Sequence, residues 1–110
     1  MKIIIIGLGL IGGSIAKQLS EKNEFEILAY DLNQKSINNA LAASSIAGVI
    51  QNLNELGSQD FENSLVVIAT PPKISLEILR ALSFLFNSSV TITDTAQIQI
   101  LVLEIGRAHV

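Results

Sequence analysis

KIIIIGLGLIGGSIA (residues 2–16) sets the architecture of the whole chain. Its run of four isoleucines lacks any polar alternation, which is typical of a strand buried on both faces in a parallel sheet. The glycines Gly7, Gly9 and Gly12 follow at once in the spacing G-x-G-x-x-G. Apolar residues at helical spacing come next, so the sequence predicts a strand, a glycine turn and a helix in direct succession.

Each of these glycines has a distinct structural role. Gly7 allows a tight turn, Gly9 lets the backbone approach a pyrophosphate, and Gly12 lets the helix pack close to the strand. The first turn of the helix directs its N–H groups and positive dipole end at the phosphates. The residues predicted to bind the pyrophosphate of a dinucleotide are Gly7, Gly9, Leu10, Ile11 and Gly12.

An acidic residue in the expected position supports this interpretation. Asp31 closes a second strand-like run and lies nineteen positions after Gly12, close to the offset of a carboxylate that binds the adenosine ribose. Asp31 could instead cap the following helix, a position that this residue type also favours. We favour the ribose role because the glycine pattern lies upstream.

Two other interpretations use the same residues. The glycines could form a turn in some other α/β domain, or the stretch from Lys2 to Lys17 could be a short secretory signal peptide. Four glycines would weaken a helical hydrophobic region by about 1 kcal/mol each. The run is also shorter than the roughly 18 apolar residues of a membrane span.

Composition narrows the function classes. The 110 residues suit one domain, or part of one, with 49% hydrophobic residues. A formal charge of −3 without a basic stripe argues against nucleic acid as a partner. The chain has no cysteine and a single histidine, His109, which excludes thiolate and multi-histidine metal sites.

Strand-like and helix-like segments alternate along the rest of the chain. This alternation predicts a Rossmann-type, doubly wound parallel α/β sheet with five strands. The four later strands are expected at 25–30, 49–50, 65–69 and 90–93. Helices are expected from the glycine turn to about 22, from 33 to about 44, and from about 73 to 86.

Two segments carry more specific expectations. Residues 51–63 are polar and hard to place, and Leu53, Leu56 and Phe61 are expected to pack a short helical or irregular segment against the sheet. The buried stripe of the helix at 73–86 is expected to be Ile74, Ile78, Leu82 and Leu85.

Four motifs occur together in one order: Gly7 to Ser14, Tyr30-Asp31, Ala69 to Pro72, and Thr93 to Ala96. Over roughly residues 1–100, this set resembles the N-terminal nucleotide-binding domain of prephenate and arogenate dehydrogenases. The resemblance implies NAD as cofactor. The further cofactor-binding residues that it implies are Ala69, Thr70, Pro71 and Asp94.

The resemblance also implies a reaction and a cellular setting. In this family, prephenate loses a hydride to the nicotinamide and releases carbon dioxide, giving 4-hydroxyphenylpyruvate in tyrosine biosynthesis. The family is cytoplasmic, and its members are expected to form homodimers through a C-terminal helical domain. The catalytic histidine and the substrate-binding arginine of the family have no matching position here, and Gln97 stands where a serine is usual. No catalytic residue is therefore assigned, and the chain alone is expected to be inactive.

The last seven residues, EIGRAHV, are what one obtains by translating a widely used sequencing adapter, AGATCGGAAGAGCACACGTC, with a preceding G. We therefore expect residues 104–110 to be a non-native tail and residues 1–103 to be a truncated dinucleotide-binding domain. The alternative is a natural helix end over 106–110.

Other functions remain open for the chain. It could be a nucleotide-binding or sensor module without chemistry, or the cofactor domain of another NAD(P)-dependent dehydrogenase, because this fold carries many activities.

Overall fold

The fold is that of a computed structural model, which describes residues 2–61, 64–83, 88–92 and 99–103. Its strands and helices follow the chain in the order β1, α1, β2, α2, β3, β4, α3, β5, β6. The strands are β1 (Lys2–Ile6), β2 (Glu26–Tyr30), β3 (Gly48–Val49), β4 (Leu65–Ile68), β5 (Ser88–Ile92) and β6 (Gln99–Leu103). The α-helices are α1 (Leu10–Ser20), α2 (Gln34–Ala42) and α3 (Pro72–Ser83).

β1 lies between β2 and β4 and is parallel to both. Ile5 is paired with Ala29 on one side and with Val67 on the other. β3 adds a parallel strand outside β2, which gives the order β3-β2-β1-β4. The predicted doubly wound α/β arrangement is therefore confirmed for these four strands.

Both faces of β1 are buried, as the isoleucine run predicts. Ile4 and Ile6 belong to one hydrophobic cluster, whereas Ile3 and Ile5 belong to a second, and all four side chains are at most 2% exposed. Full burial of one such side chain contributes about 1.5–3 kcal/mol. The first cluster contains Ile78 and Leu82 of α3, and the second contains Ala16 of α1 and Ile37 of α2. The helices thus cover opposite faces of the sheet.

The structure adds a strand that the sequence analysis did not predict. β6 lies between β4 and β5 and is antiparallel to both. It occupies the edge of β4, where the backbone would otherwise have no strand partner on that side. β5 consequently pairs with β6 rather than with β4, and it forms one end of the sheet order.

The polar segment between β3 and β4 contains two short 3₁₀-helices, Leu53–Gly57 and Gln59–Phe61. Leu56 is buried and Phe61 is 8% exposed, and Leu53 packs against the same cluster, so the predicted packing of this segment is confirmed. The first 3₁₀-helix begins with a capping box, in which the Glu55 carboxylate accepts a hydrogen bond from the backbone N–H of Asn52.

No helix in the described residues is both long and apolar enough to cross a membrane. The carboxylate side chains of the same residues form no group that could hold a metal ion.

Candidate dinucleotide site

The candidate site lies where the carboxyl ends of three parallel strands meet. Gly7 follows β1, Asp31 follows β2, and Ala69 follows β4. Backbone hydrogen bonds hold these ends in line: Gly7 N–H donates to the Tyr30 carbonyl at 2.9 Å, and Ala69 N–H donates to the Ile6 carbonyl at 2.8 Å. Ligands of open α/β sheets bind outside this edge.

Two glycines of the turn are required by close contacts with backbone. Gly7 has a φ of +100°, and a Cβ there would lie 2.7 Å from the carbonyl oxygen of Ala69. A Cβ at Gly12 would overlap the carbonyl oxygen of Gly7 and would lie 3.3 Å from the Cβ of Ala69. The start of α1 therefore packs directly on the turn and on the end of β4.

Gly9 differs from both, because the space beside it is open. It is the N-cap of α1, with extended backbone angles of φ −68° and ψ −160°. A Cβ at this position would meet no heavy atom within 4 Å. Gly13 N–H donates the first helical hydrogen bond, to the Gly9 carbonyl at 2.8 Å. The N–H groups of Leu10 and Ile11 precede that bond, and in an α-helix such groups point out of the N-terminus.

Asp31 makes two hydrogen bonds to backbone N–H groups. Its Oδ2 accepts from Leu8 at 2.6 Å, and its Oδ1 accepts from Asn33 at 2.8 Å. The helix cap is Asn33, whose side chain accepts from the N–H groups of Lys35 and Ser36 at 3.0 and 3.3 Å. Of the two roles considered for Asp31, the capping of α2 therefore belongs to Asn33.

A cavity of about 430 Å³ lies between the glycine turn, the end of β2 and α3. Its walls are mostly apolar, and Asp31 is the one charged residue among the described residues that line it. The lining residues are Ile6, Gly7, Gly9, Tyr30, Asp31, Leu32, Asn33, Leu53, Ala69, Thr70, Pro71, Ile74 and Ile78.

Ile74 corrects the sequence analysis, which predicted it as a buried residue of the α3 stripe. It is 46% exposed and lines the cavity, whereas Ile78 and Leu82 are buried as predicted. α3 starts at the ligand-binding edge of the sheet, so its first turn extends past the core that its later turns cover. Leu85, the fourth residue of the predicted stripe, lies outside the described residues.

A second cavity, of about 330 Å³, adjoins the first at Gly9. The two cavities share Gly9, Ala69, Thr70 and Pro71, and the second adds residues from the first turns of α1 and α3. A ligand that crosses Gly9 would therefore enter both cavities. The residues that line only the second cavity are Leu10, Ile11 and Pro72.

The structure brings together most of the predicted site residues. Eight of them line the two cavities: Gly7, Gly9, Leu10, Ile11, Asp31, Ala69, Thr70 and Pro71. Gly12 lies beneath the turn, against Gly7, and Asp94 lies outside the described residues. The sequence analysis did not predict the apolar walls formed by Tyr30, Leu32, Leu53, Ile74 and Ile78, although Tyr30 and Leu32 flank Asp31 in the chain.

A pair of hydroxyls fixes the turn between β4 and α3. The Oγ of Ser75, which is 2% exposed, donates to the Thr70 carbonyl at 2.9 Å and lies 2.7 Å from the Thr70 Oγ1. A hydroxyl has one proton, so Thr70 is the donor to Ser75 when both contacts are made. The methyl group of Thr70 then faces Gly7.

The sequence matches, over residues 2–97, the family described as NADP oxidoreductase coenzyme F420-dependent. The chain belongs to this family. Among curated proteins it is similar to the prephenate dehydrogenase of Lactococcus lactis subsp. cremoris, with 33% identity over 107 residues that cover 96% of this chain and 29% of that protein. It is also similar to the Ktr system potassium uptake protein A of Bacillus subtilis, with 40% identity over 70 residues that cover 58% of this chain and 31% of that protein.

Among solved structures, the chain is similar to a prephenate dehydrogenase from A. aeolicus in complex with hydroxyphenyl propionate and NAD+. The TM-score is 0.66 and the identity 28%, over 79% of this chain and 30% of that one. The predicted resemblance to prephenate dehydrogenases is thus confirmed. The chain spans less than a third of the length of each of these three proteins.

We predict that Gly12→Ala destabilises the folded chain, because the added methyl group would overlap the Gly7 carbonyl. Overpacking of this kind costs about 3 kcal/mol. Gly13→Ala is the matched control: its Cβ would lie 3.5 Å from the Leu8 carbonyl, an ordinary contact, and alanine favours a helix by up to about 1 kcal/mol. Urea unfolding of both variants measures the difference. A Gly12→Ala chain as stable as the Gly13→Ala chain would contradict the close packing.

Proposed function

We propose that this chain is the NAD-binding domain of a prephenate dehydrogenase. The observation that carries the proposal is the open space at Gly9, at the N-terminus of α1 and between two adjoining cavities. The similarity to the prephenate dehydrogenases of two organisms supports the choice of enzyme.

The residues fit a dinucleotide by their chemistry. The N-terminus of α1 offers N–H groups and a positive dipole end to the pyrophosphate, and Gly9 leaves the space that it would fill. The Asp31 carboxylate, at the wall of the larger cavity, would accept hydrogen bonds from the adenosine ribose. The apolar walls of that cavity suit a flat aromatic base such as adenine. Leu10, Ile11 and Pro72 would then line the side of the nicotinamide.

The charges around Asp31 bear on the choice between NAD and NADP. Its carboxylate would repel a 2′-phosphate, and residues 32–35 contain no arginine to bind one. Lys35 is the one cation in that segment, at the exposed start of α2. Although the family description names NADP, these residues favour NAD.

We expect NAD to bind more tightly than NADP. Each cofactor would be titrated into the chain by calorimetry at the same ionic strength, because the repulsion is electrostatic and is screened by salt. Equal or tighter binding of NADP would overturn the assignment of Asp31 to the ribose.

Gly9→Ala is expected to weaken NAD binding by about 10-fold or more, which is about 1.4 kcal/mol. The added methyl group would take up space that the pyrophosphate needs. The melting temperature without ligand should stay unchanged, since the methyl meets no protein atom within 4 Å and the backbone angles suit alanine. Gly13→Ala, whose Cβ would make only an ordinary contact and which lines neither cavity, is the matched control for binding. Unchanged affinity for NAD in Gly9→Ala would contradict the proposed position of the pyrophosphate.

In the proposed reaction, NAD supplies the hydride acceptor when bound. Prephenate and NAD+ would give 4-hydroxyphenylpyruvate, carbon dioxide and NADH. The described residues contain no histidine that could accept the ring hydroxyl proton, since the single histidine of the sequence is His109. We therefore propose that the catalytic groups and the dimer contacts belong to further sequence of the cytoplasmic enzyme. Residues 1–103 would be its cofactor domain. Residues 104–110 would not be native.

The 110-residue chain is accordingly expected to bind NAD but not to reduce it with prephenate. The measurement is the absorbance of NADH at 340 nm with saturating substrates and micromolar protein. Formation of NADH above the protein-free background would show that the chain itself holds a general base.

A second candidate function comes from a different class. The candidate is a nucleotide-binding module without redox chemistry, and it is supported by the similarity to the Ktr system potassium uptake protein A, whose name describes uptake and no redox reaction. The two functions differ in what the nicotinamide contributes to binding. A cofactor domain should bind NAD more tightly than ADP, whereas a module that recognises only the adenine nucleotide should not distinguish them in this way.

A further inference from the structure

The Asp31 carboxylate joins two turns of the backbone that are far apart in the sequence. Its Oδ2 accepts from Leu8, in the middle of the glycine turn, and its Oδ1 accepts from Asn33, at the start of α2. The hydrogen bond to Leu8 is 2.6 Å long and spans 23 residues. An ionised acceptor makes both bonds stronger than bonds between neutral groups.

The glycine turn depends on such an anchor. Gly7 has a φ of +100°, and glycine loses more conformational freedom on ordering than any other residue. The N–H of Gly7 donates a hydrogen bond to the Tyr30 carbonyl, and the N–H of Leu8 donates one to the carboxylate of the following residue, Asp31. Two successive amides of the turn are thus tied to two successive residues at the end of β2. Gly9 and the start of α1 follow immediately.

We propose that Asp31 is a positioning residue for the glycine turn, in addition to the ribose-binding role. Its carboxylate holds the turn in the ligand-free chain, so that Gly9 and the first amides of α1 are already arranged for an anion. This inference rests on the proposed dinucleotide site for the identity of the ligand. The anchoring of the turn itself is independent of any ligand.

Both roles fit one carboxylate. A carboxylate has about four lone-pair positions for hydrogen bonds, and the two backbone amides use two of them. The remaining positions are enough for the ribose hydroxyls. Asparagine could not take over the anchoring, because its single oxygen can face either Leu8 or Asn33 while its NH₂ group faces the other N–H.

The anchoring role and simple charge repulsion predict opposite effects of Asp31→Asn on a ligand without ribose. Inorganic pyrophosphate is such a probe. If Asp31 acted on ligands only through its charge, removing that charge would strengthen pyrophosphate binding. If it positions the turn, Asp31→Asn should weaken pyrophosphate binding despite the lost negative charge.

The first measurement is amide hydrogen exchange by NMR on the ligand-free chain. The Leu8 amide should be protected in the wild type, and it should exchange at least about 10-fold faster in Asp31→Asn, since a charge-assisted hydrogen bond is lost. Glu24→Gln removes one charge at an exposed position before β2 and is the matched control. Unchanged exchange at Leu8 in Asp31→Asn would overturn the proposal. If Asp31→Asn does not fold, the wild type alone decides: an unprotected Leu8 amide there would also overturn the proposal.

The second measurement is the dissociation constant of pyrophosphate for the same three chains. We expect it to rise about 10-fold in Asp31→Asn and to change little in Glu24→Gln. Tighter binding by Asp31→Asn would overturn the positioning role. If the wild type bound neither pyrophosphate nor NAD, the proposed function would fail, and hydrogen exchange at Leu8 would still decide whether Asp31 anchors the turn.

Discussion

The close approach of Gly12 to the carbonyl oxygen of Gly7 determines how α1 leaves the sheet. No side chain fits between these two backbone segments, so the first turn of α1 lies directly on the glycine turn and beside Ala69. The N-terminus of the helix therefore opens at the carboxyl edge of β1 and β4, rather than over the face of the sheet. The two cavities that share Gly9 in their lining lie at this opening.

The same packing connects the core to the site. β1 is held on both faces by two hydrophobic clusters and on both sides by parallel strands. Its carboxyl end is thus a fixed point from which the glycine turn starts. Asp31, at the end of the neighbouring strand, holds the turn at Leu8. A rigid strand, a close-packed helix start and one carboxylate together restrict a segment whose glycines would otherwise allow many conformations.

Sequence reasoning succeeded where the signal is local. The unbroken isoleucine run predicted a strand buried on both faces, and the spacing of Gly7, Gly9 and Gly12 predicted the turn and the start of α1. Asn23, after α1, has a left-handed backbone conformation with a φ of 55°, which asparagine adopts more readily than most residues. The capping box at Asn52 and Glu55 is a local signal too, and it locates the start of the first 3₁₀-helix within the segment expected to be short helical or irregular.

The features that were missed depend on contacts between distant parts of the chain. Helical periodicity gave the correct face of α3 but could not show that the first turn, with Ile74, extends beyond the core. Pairing of β6 with β4 joins residues more than thirty positions apart, which no local pattern specifies. The two hydrogen bonds of Asp31 likewise arise from the way β1 and β2 end side by side.

A dinucleotide bound across Gly9 would have its adenosine on the Asp31 side and its nicotinamide on the Leu10 side. Backbone amide chemical shifts of the isotope-labelled chain, recorded by NMR during a titration with NAD, show whether it binds there. We expect the largest changes at Gly9, Leu10, Leu32 and Thr70, and we expect titration with ADP to reproduce the change at Leu32 but not the full change at Leu10. Changes concentrated away from both cavities, or no saturable change at Gly9, would contradict this mode of binding.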